Sequence, residues 1–167
     1  ITETPAVQLL LQHVTNLDGE RVLDMGCGTG IVAIHAALAG AAHVTAVDVD
    51  DAAAANARAN VEKHGLTNVI DVSQADLFAT CVGERFDLII ANLPISETAW
   101  TVETPGLLQR FVEQVPDHLA ANGHAVFVFA SFGDVDGLAP LLRDHGWAIA
   151  SKMQQFGVRW WLQTLSS

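Results

Sequence analysis

Apolar runs of strand length alternate along this chain with stretches of helical period, the pattern of an α/β domain built on a mostly parallel sheet. Seven strands are predicted, at Arg21–Met25, His43–Asp48, Val69–Gln74, Phe86–Asn92, His124–Ala130, Trp147–Gln155 and Val158–Thr164. Helices fall between them at about Pro5–Val14, Ile31–Ala39, Asp51–His64, Pro105–Ala120 and Asp136–His145, with Gly40, Gly65 and Gly146 as C-terminal stops. Pro5 and Pro105 suit a first helical turn, whereas Pro116 predicts a kink or break in the fourth helix. Only Phe156-Gly157 separates the last two strands. That is too short for a helical crossover, so they are expected to pair as an antiparallel hairpin.

Composition narrows the class. The chain has 167 residues, 50% of them apolar and 16% charged, which predicts one domain over 1–167 with a substantial core. Its formal charge of −11 argues against strong nucleic-acid binding by this domain alone, because phosphate contacts need clustered Lys and Arg. Cys27 and Cys81 form no metal-ligand or disulfide pattern, and no apolar run reaches membrane-spanning length. A cytoplasmic location without membrane partners is the expectation. The chain opens at Ile1 rather than Met, directly on a helix-like stretch, so further residues are expected upstream.

The chemistry concentrates at Val22-Leu23-Asp24-Met25-Gly26-Cys27-Gly28-Thr29-Gly30. A strand running into bare glycine backbone and then a helix lets a ligand approach a helix N-terminus without meeting a Cβ. Read as Gly28-x-Gly30-x-x-Ala33, the stretch nearly matches a dinucleotide-binding fingerprint. Asp24 weighs the other way, since a carboxylate just before the turn repels a pyrophosphate and attracts a cation. Asp48 closes the second strand, where an acidic side chain can accept bonds from both hydroxyls of a ribose. Asp50 and Asp51 read as caps of the helix that follows. Asp76, with Leu77 beside it, follows the third strand, where an ordinary loop Asp would cap a short helix.

The Asp-x-Gly-x-Gly-x-Gly pattern, together with the terminal hairpin, resembles the class I S-adenosylmethionine (SAM) dependent methyltransferases over nearly the whole chain. The resemblance implies a Rossmann-like seven-stranded sheet of order 3-2-1-4-5-7-6, the last strand antiparallel, with helices on both faces. It further implies SAM as cofactor, without metal, held by Asp24, Gly26, Cys27, Gly28, Gly30, Asp48, Asp76, Leu77 and Asn92. In that family the position of Asp76 bonds the adenine amine.

Phe86-Asp87-Leu88-Ile89-Ile90-Ala91-Asn92-Leu93-Pro94-Ile95 reads as a buried strand ending in a polar, proline-stiffened loop. It resembles the Asn-Pro-Pro-Tyr or Phe motif of methyltransferases that act on amide and exocyclic amino nitrogens. On that resemblance Asn92 and Pro94 are the catalytic positions, and Asn92, Leu93, Pro94, Ile95 and Trp100 contact the acceptor. Ile95 departs from the pattern by removing an aromatic stacking partner. As a plain turn former ahead of Pro94, Asn92 would have no chemical role. Ile1-Thr2-Glu3-Thr4-Pro5 resembles the Thr-Glu segment of small-domain methyltransferases, although Thr4 as a helix N-cap explains it better. The seven histidines show no ligand spacing and read as structural or surface residues. Arg159-Trp160-Trp161 reads as part of an edge strand alternating between faces.

The function expected is methyl transfer from SAM to an amide or amino nitrogen of a protein or RNA partner. Its rivals are a small-molecule O- or C-methyltransferase, a SAM-binding interaction domain without catalysis, and an NAD-linked reductase. The identity of the acceptor is not written in these motifs.

Overall fold

A computed structural model describes residues 4–93, 104–130, 135–155 and 158–167. The strands are β1 (Arg21–Met25), β2 (His43–Asp48), β3 (Ile70–Gln74), β4 (Phe86–Ala91), β5 (Leu119–Ala130), β6 (Ala148–Gln155) and β7 (Val158–Ser166). The helices are α1 (Pro5–Leu11), α2 (Ile31–Leu38), α3 (Asp51–Lys63), α4 (Thr104–His118) and α5 (Val135–Asp144), with a 3₁₀ turn at Leu77–Thr80. They form one seven-stranded sheet of order β3-β2-β1-β4-β5-β7-β6. β1 through β5 run parallel to one another, and β7 lies antiparallel between β5 and β6. The expected order and hairpin are therefore both present.

Covering both faces of a parallel sheet forces its central strands to be apolar almost throughout, and residue alternation then divides the core in two. Val22, Leu88, Ile90, Val126 and Val128 pack in the layer that holds α1, α2 and part of α3. Leu23, Met25, Ile89, Ala91 and Phe127 pack in the layer that holds Phe111, Val112 and Val115 of α4 and Leu142 of α5. Phe111, Phe127 and Trp147 interlock there, Phe127 and Trp147 edge to face with centroids 5.1 Å apart. Such aromatic contacts anchor α4 against the sheet.

Several local expectations are corrected. α4 runs through Pro116 and stops two residues later at His118, so the proline marks the last turn and not a break. β5 starts at Leu119, ahead of the expected His124, because the chain pairs Leu119 with Phe86, shifts register, and resumes at Leu88 with His124. α1 stops at Leu11, where the N–H groups of His13 and Val14 bond Leu10 and Leu11 in tighter turns. Arg159-Trp160-Trp161 belongs to β7, an interior strand; the edge is β6. Two capping expectations hold. Thr4 Oγ1 accepts the Val7 N–H at 3.3 Å, and Asp50 Oδ1 accepts the Ala52 N–H at 2.9 Å.

Candidate active site

At the carboxyl ends of β1, β2, β3 and β4 lies a cleft of about 430 Å³. The strand order reverses between β1 and β4, and this switch point is where open α/β sheets take their ligands. From β1 and its turn come Met25, Gly26 and Gly28, from β2 and the start of α3 come Val47 through Asp50 and Ala53, and from beyond β3 come Ala75, Asp76 and Leu77. Asn92 and Leu93 close the side after β4, and Leu107 of α4 closes the far side. A second hollow, of about 550 Å³, shares Asp76 and Leu77 but receives nothing from the glycine turn.

The turn is built by backbone bonds and by close approaches at Gly26 and Gly30. The N–H groups of Gly26 and Cys27 both donate to the Val47 carbonyl, at 2.8 and 3.0 Å, pulling the end of β1 onto β2. Gly26 has φ of +75°, and a Cβ there would stand 2.8 Å from the Asn92 carbonyl oxygen. Asn92 N–H in turn donates to Met25 O at 3.0 Å. Gly30 opens α2 at φ of +77°, and a Cβ on it would press on Ala57 of α3 at 3.3 Å. The first glycine thus serves the approach of β4, and the last serves the packing of two helices.

Asp48 locks the turn from the side. Its Oδ2 accepts the Gly28 N–H at 2.8 Å, and its Oδ1 accepts the Asp50 N–H at 3.0 Å. A carboxylate has about four acceptor positions, so capacity for a ligand's hydroxyls remains.

Asp24 stands elsewhere. It shares a face with Val22, on the side α2 covers, and is 1% exposed. Its Oδ2 accepts the Ala33 N–H at 2.9 Å near the N-terminus of α2, while Oδ1 is buried with no partner among the described residues. Burial pushes its pKa up to about 7; the Ala33 bond works against the rise, and the nearby Asp48 charge adds to it. Asp24 therefore does not line the cleft, and any effect on a ligand is through its field beneath the turn.

Of the expected positions, Gly26, Gly28, Asp48, Asp76, Leu77, Asn92 and Leu93 meet at the cleft. Cys27 and Gly30 stand behind it, and burial, with the Asp24 and Asp48 charges, pushes the Cys27 thiol up, away from reactivity. Pro94, Ile95 and Trp100 lie outside the described residues. Sequence reasoning missed Val49, 61% exposed at the mouth of the cleft, and Leu107. An apolar residue left in solvent directly after Asp48 was a usable signal for the first. Nothing in the local pattern pointed to the second.

Asp76 does not cap the 3₁₀ turn that follows it. Its carboxylate instead pairs with Arg110 of α4, from Nη1 to Oδ2 at 2.8 Å and from Nη2 to Oδ1 at 3.4 Å. The histidines near helix ends mostly serve carbonyls, His64 that of Asn60 and His145 that of Leu141. His118 reaches across to Glu84 O and stacks on Phe78.

The cleft suits a cation-bearing nucleoside. Asp48, Asp50 and Asp76 line it, Val49 and Leu77 give it apolar walls, and no Lys or Arg stands among its described lining residues. A pyrophosphate would meet Asp48 and Asp50 there, with the one nearby guanidinium, Arg110, already paired to Asp76.

The family model described as methyltransferase small domain matches residues 4–150. The ribosomal protein L11 methyltransferase of Lactobacillus johnsonii is 31% identical over 134 residues, which are 80% of this chain and 39% of that protein. That of Dechloromonas aromatica is 47% identical over 91 residues, 53% of this chain and 29% of that one. The chain spans well under half the length of these curated relatives. Among solved structures, ribosomal protein L11 methylase from Lactobacillus delbrueckii subsp. bulgaricus matches with a TM-score of 0.78 at 23% identity, covering 98% of this chain and 79% of that one. The T. thermophilus 16S rRNA N2 G1207 methyltransferase, in complex with AdoMet and guanosine, matches with a TM-score of 0.74 at 22% identity, covering 96% and 43%. At these identities the two structures speak for the fold.

Proposed function

This chain belongs to the methyltransferase small domain family, a class I SAM-dependent methyltransferase, and from that premise we propose that it methylates a nitrogen on a protein partner. The observation that carries the proposal is the backbone contact between Gly26 and Asn92, which puts the turn expected to hold the cofactor and the residue expected to hold the acceptor on one cleft wall.

Gly26 and Gly28 would leave room for the cofactor's methionine end, Asp48 would receive its ribose hydroxyls, and Asp76, with Val49 and Leu77, would hold its base. Bound there, SAM supplies an electrophilic methyl carbon on a sulfonium. The side-chain carbonyl of Asn92 accepts a hydrogen bond from the acceptor's N–H and thereby aims the nitrogen lone pair along the cleft, and the proton that the nitrogen sheds on methylation passes to solvent. Leu93, 8% exposed, keeps water from that side. No covalent intermediate on the protein is needed, and alignment of the two reactants supplies most of the rate.

A protein acceptor is favoured over RNA for two reasons. The formal charge of −11 opposes a phosphate backbone, and the relatives above 30% identity are named as methyltransferases of a ribosomal protein. Transfer of label from methyl-labelled SAM is the test, with purified ribosomal protein L11 and deproteinised ribosomal RNA offered separately. Label on the protein supports the proposal; label on RNA alone would move the acceptor to a base nitrogen. Calorimetric titration with SAM and with NADH checks the cofactor beneath both readings.

A further inference from the structure

The Asp76–Arg110 pair is unusual for an exposed ion pair in that both partners stand on a rigid frame. Arg110 is followed in α4 by Phe111, which is 0% exposed and stacks on Phe78 with centroids 6.0 Å apart and planes at 15°. Phe78 lies two residues after Asp76 and is also stacked by His118 at 4.3 Å and 9°. Two aromatic contacts thus fix α4 against the 3₁₀ turn, and between them the guanidinium holds the Asp76 carboxylate by two N–H groups. Two-pronged pairing fixes the plane of a carboxylate as well as its position. The longer of the two contacts, at 3.4 Å, falls on Oδ1, and a carboxylate accepting two bonds keeps acceptor capacity for a third.

We propose that Arg110 is a positioning residue for base recognition: it holds Asp76 so that the cleft selects a 6-amino purine over a 6-oxo purine. The inference rests on the reading of the cleft as a SAM site. An unheld aspartate, half exposed at a cleft edge, would turn among rotamers and meet either base with little preference. With its plane fixed, it accepts from an exocyclic amine and repels an exocyclic carbonyl. Lysine offers a point charge without the fork, so it replaces the attraction and not the orientation. Because both side chains are about half exposed, the pair contributes little to folding, and selectivity can be lost without loss of the fold.

Calorimetric titration of wild type, Arg110→Met and Arg110→Lys with S-adenosylhomocysteine and S-inosylhomocysteine tests this, alongside thermal unfolding of each. Wild type is expected to prefer the adenosyl ligand by about tenfold or more, the scale of a hydrogen bond to a charged group. In Arg110→Met the preference falls to about twofold through weaker adenosyl binding, with the unfolding midpoint nearly unchanged, and Arg110→Lys lies between. An Arg110→Met variant with wild-type affinity and wild-type preference overturns the inference while leaving the cofactor reading intact. Wild type that binds neither ligand overturns both.

Discussion

Gly26 and Asn92 meet backbone to backbone: a Cβ on the glycine would lie 2.8 Å from the Asn92 carbonyl oxygen, and Asn92 N–H closes the contact by donating to Met25 O at 3.0 Å. The ends of β1 and β4 are thereby fixed to each other at the point where the proposed function requires two reactants to be aligned.

Gly26→Ala is therefore expected to fail twice. Its φ of +75° strains any L side chain, and the added methyl forces Asn92 away. We expect a loss of about 2–4 kcal/mol in unfolding free energy by denaturant titration. Cofactor affinity and turnover should both fall as well, turnover by about 100-fold, since small misplacements of reactants are costly.

At Asp48 the side chain holds the Gly28 N–H, and a pair of substitutions separates that task from the ligand contact proposed for it. Asp48→Asn keeps an oxygen for the Gly28 N–H but gives up the charge, whereas Asp48→Ala removes both. S-adenosylhomocysteine binding by calorimetry should weaken by about tenfold in the asparagine variant and by about 100-fold in alanine, the charge and the accepting oxygen contributing about equally. Equal, small losses in both variants would remove Asp48 from the site.

Buried Asp24 makes stability depend on pH in an unusual direction. Its pKa rises from 3.8 to about 7 on folding, so between those values the folded state binds more protons than the unfolded. Stability then declines as pH rises from about 4 and levels off above about 7, a loss on the order of 4 kcal/mol from this group. Asp24→Asn should flatten that slope in urea titrations run from pH 4 to pH 8. A cation bound above the turn favours ionised Asp24, so SAM affinity should increase from pH 6 to pH 8 with release of a proton. Calorimetry in two buffers of different ionisation enthalpy detects that release.

What could be read from the chain depended on how local the cause was. β1 and β2 are legible to the residue, because a strand buried on both faces is apolar through most of its length, Asp24 and Thr45 being the buried exceptions, and polar or glycine-rich where it stops. The glycine turn is legible for the same reason, its bonds running to Val47 and Asp48 of the next strand. Period-2 alternation from Val22 already places Asp24 on the α2 side, yet its charge alone invites a contact with the ligand that the strand geometry denies. The early start of β5 and the pairing of Asp76 with Arg110 depend on how segments distant in sequence meet, and no local pattern carries them.

The most direct test of the account is Asn92→Ala, assayed for methyl transfer and, in parallel, for S-adenosylhomocysteine affinity. Asn92 is assigned to the acceptor's nitrogen, so turnover should fall by about 100-fold or more while cofactor affinity stays within about twofold of wild type. Undiminished turnover at unchanged affinity would contradict the assignment of this cleft wall to nitrogen methylation.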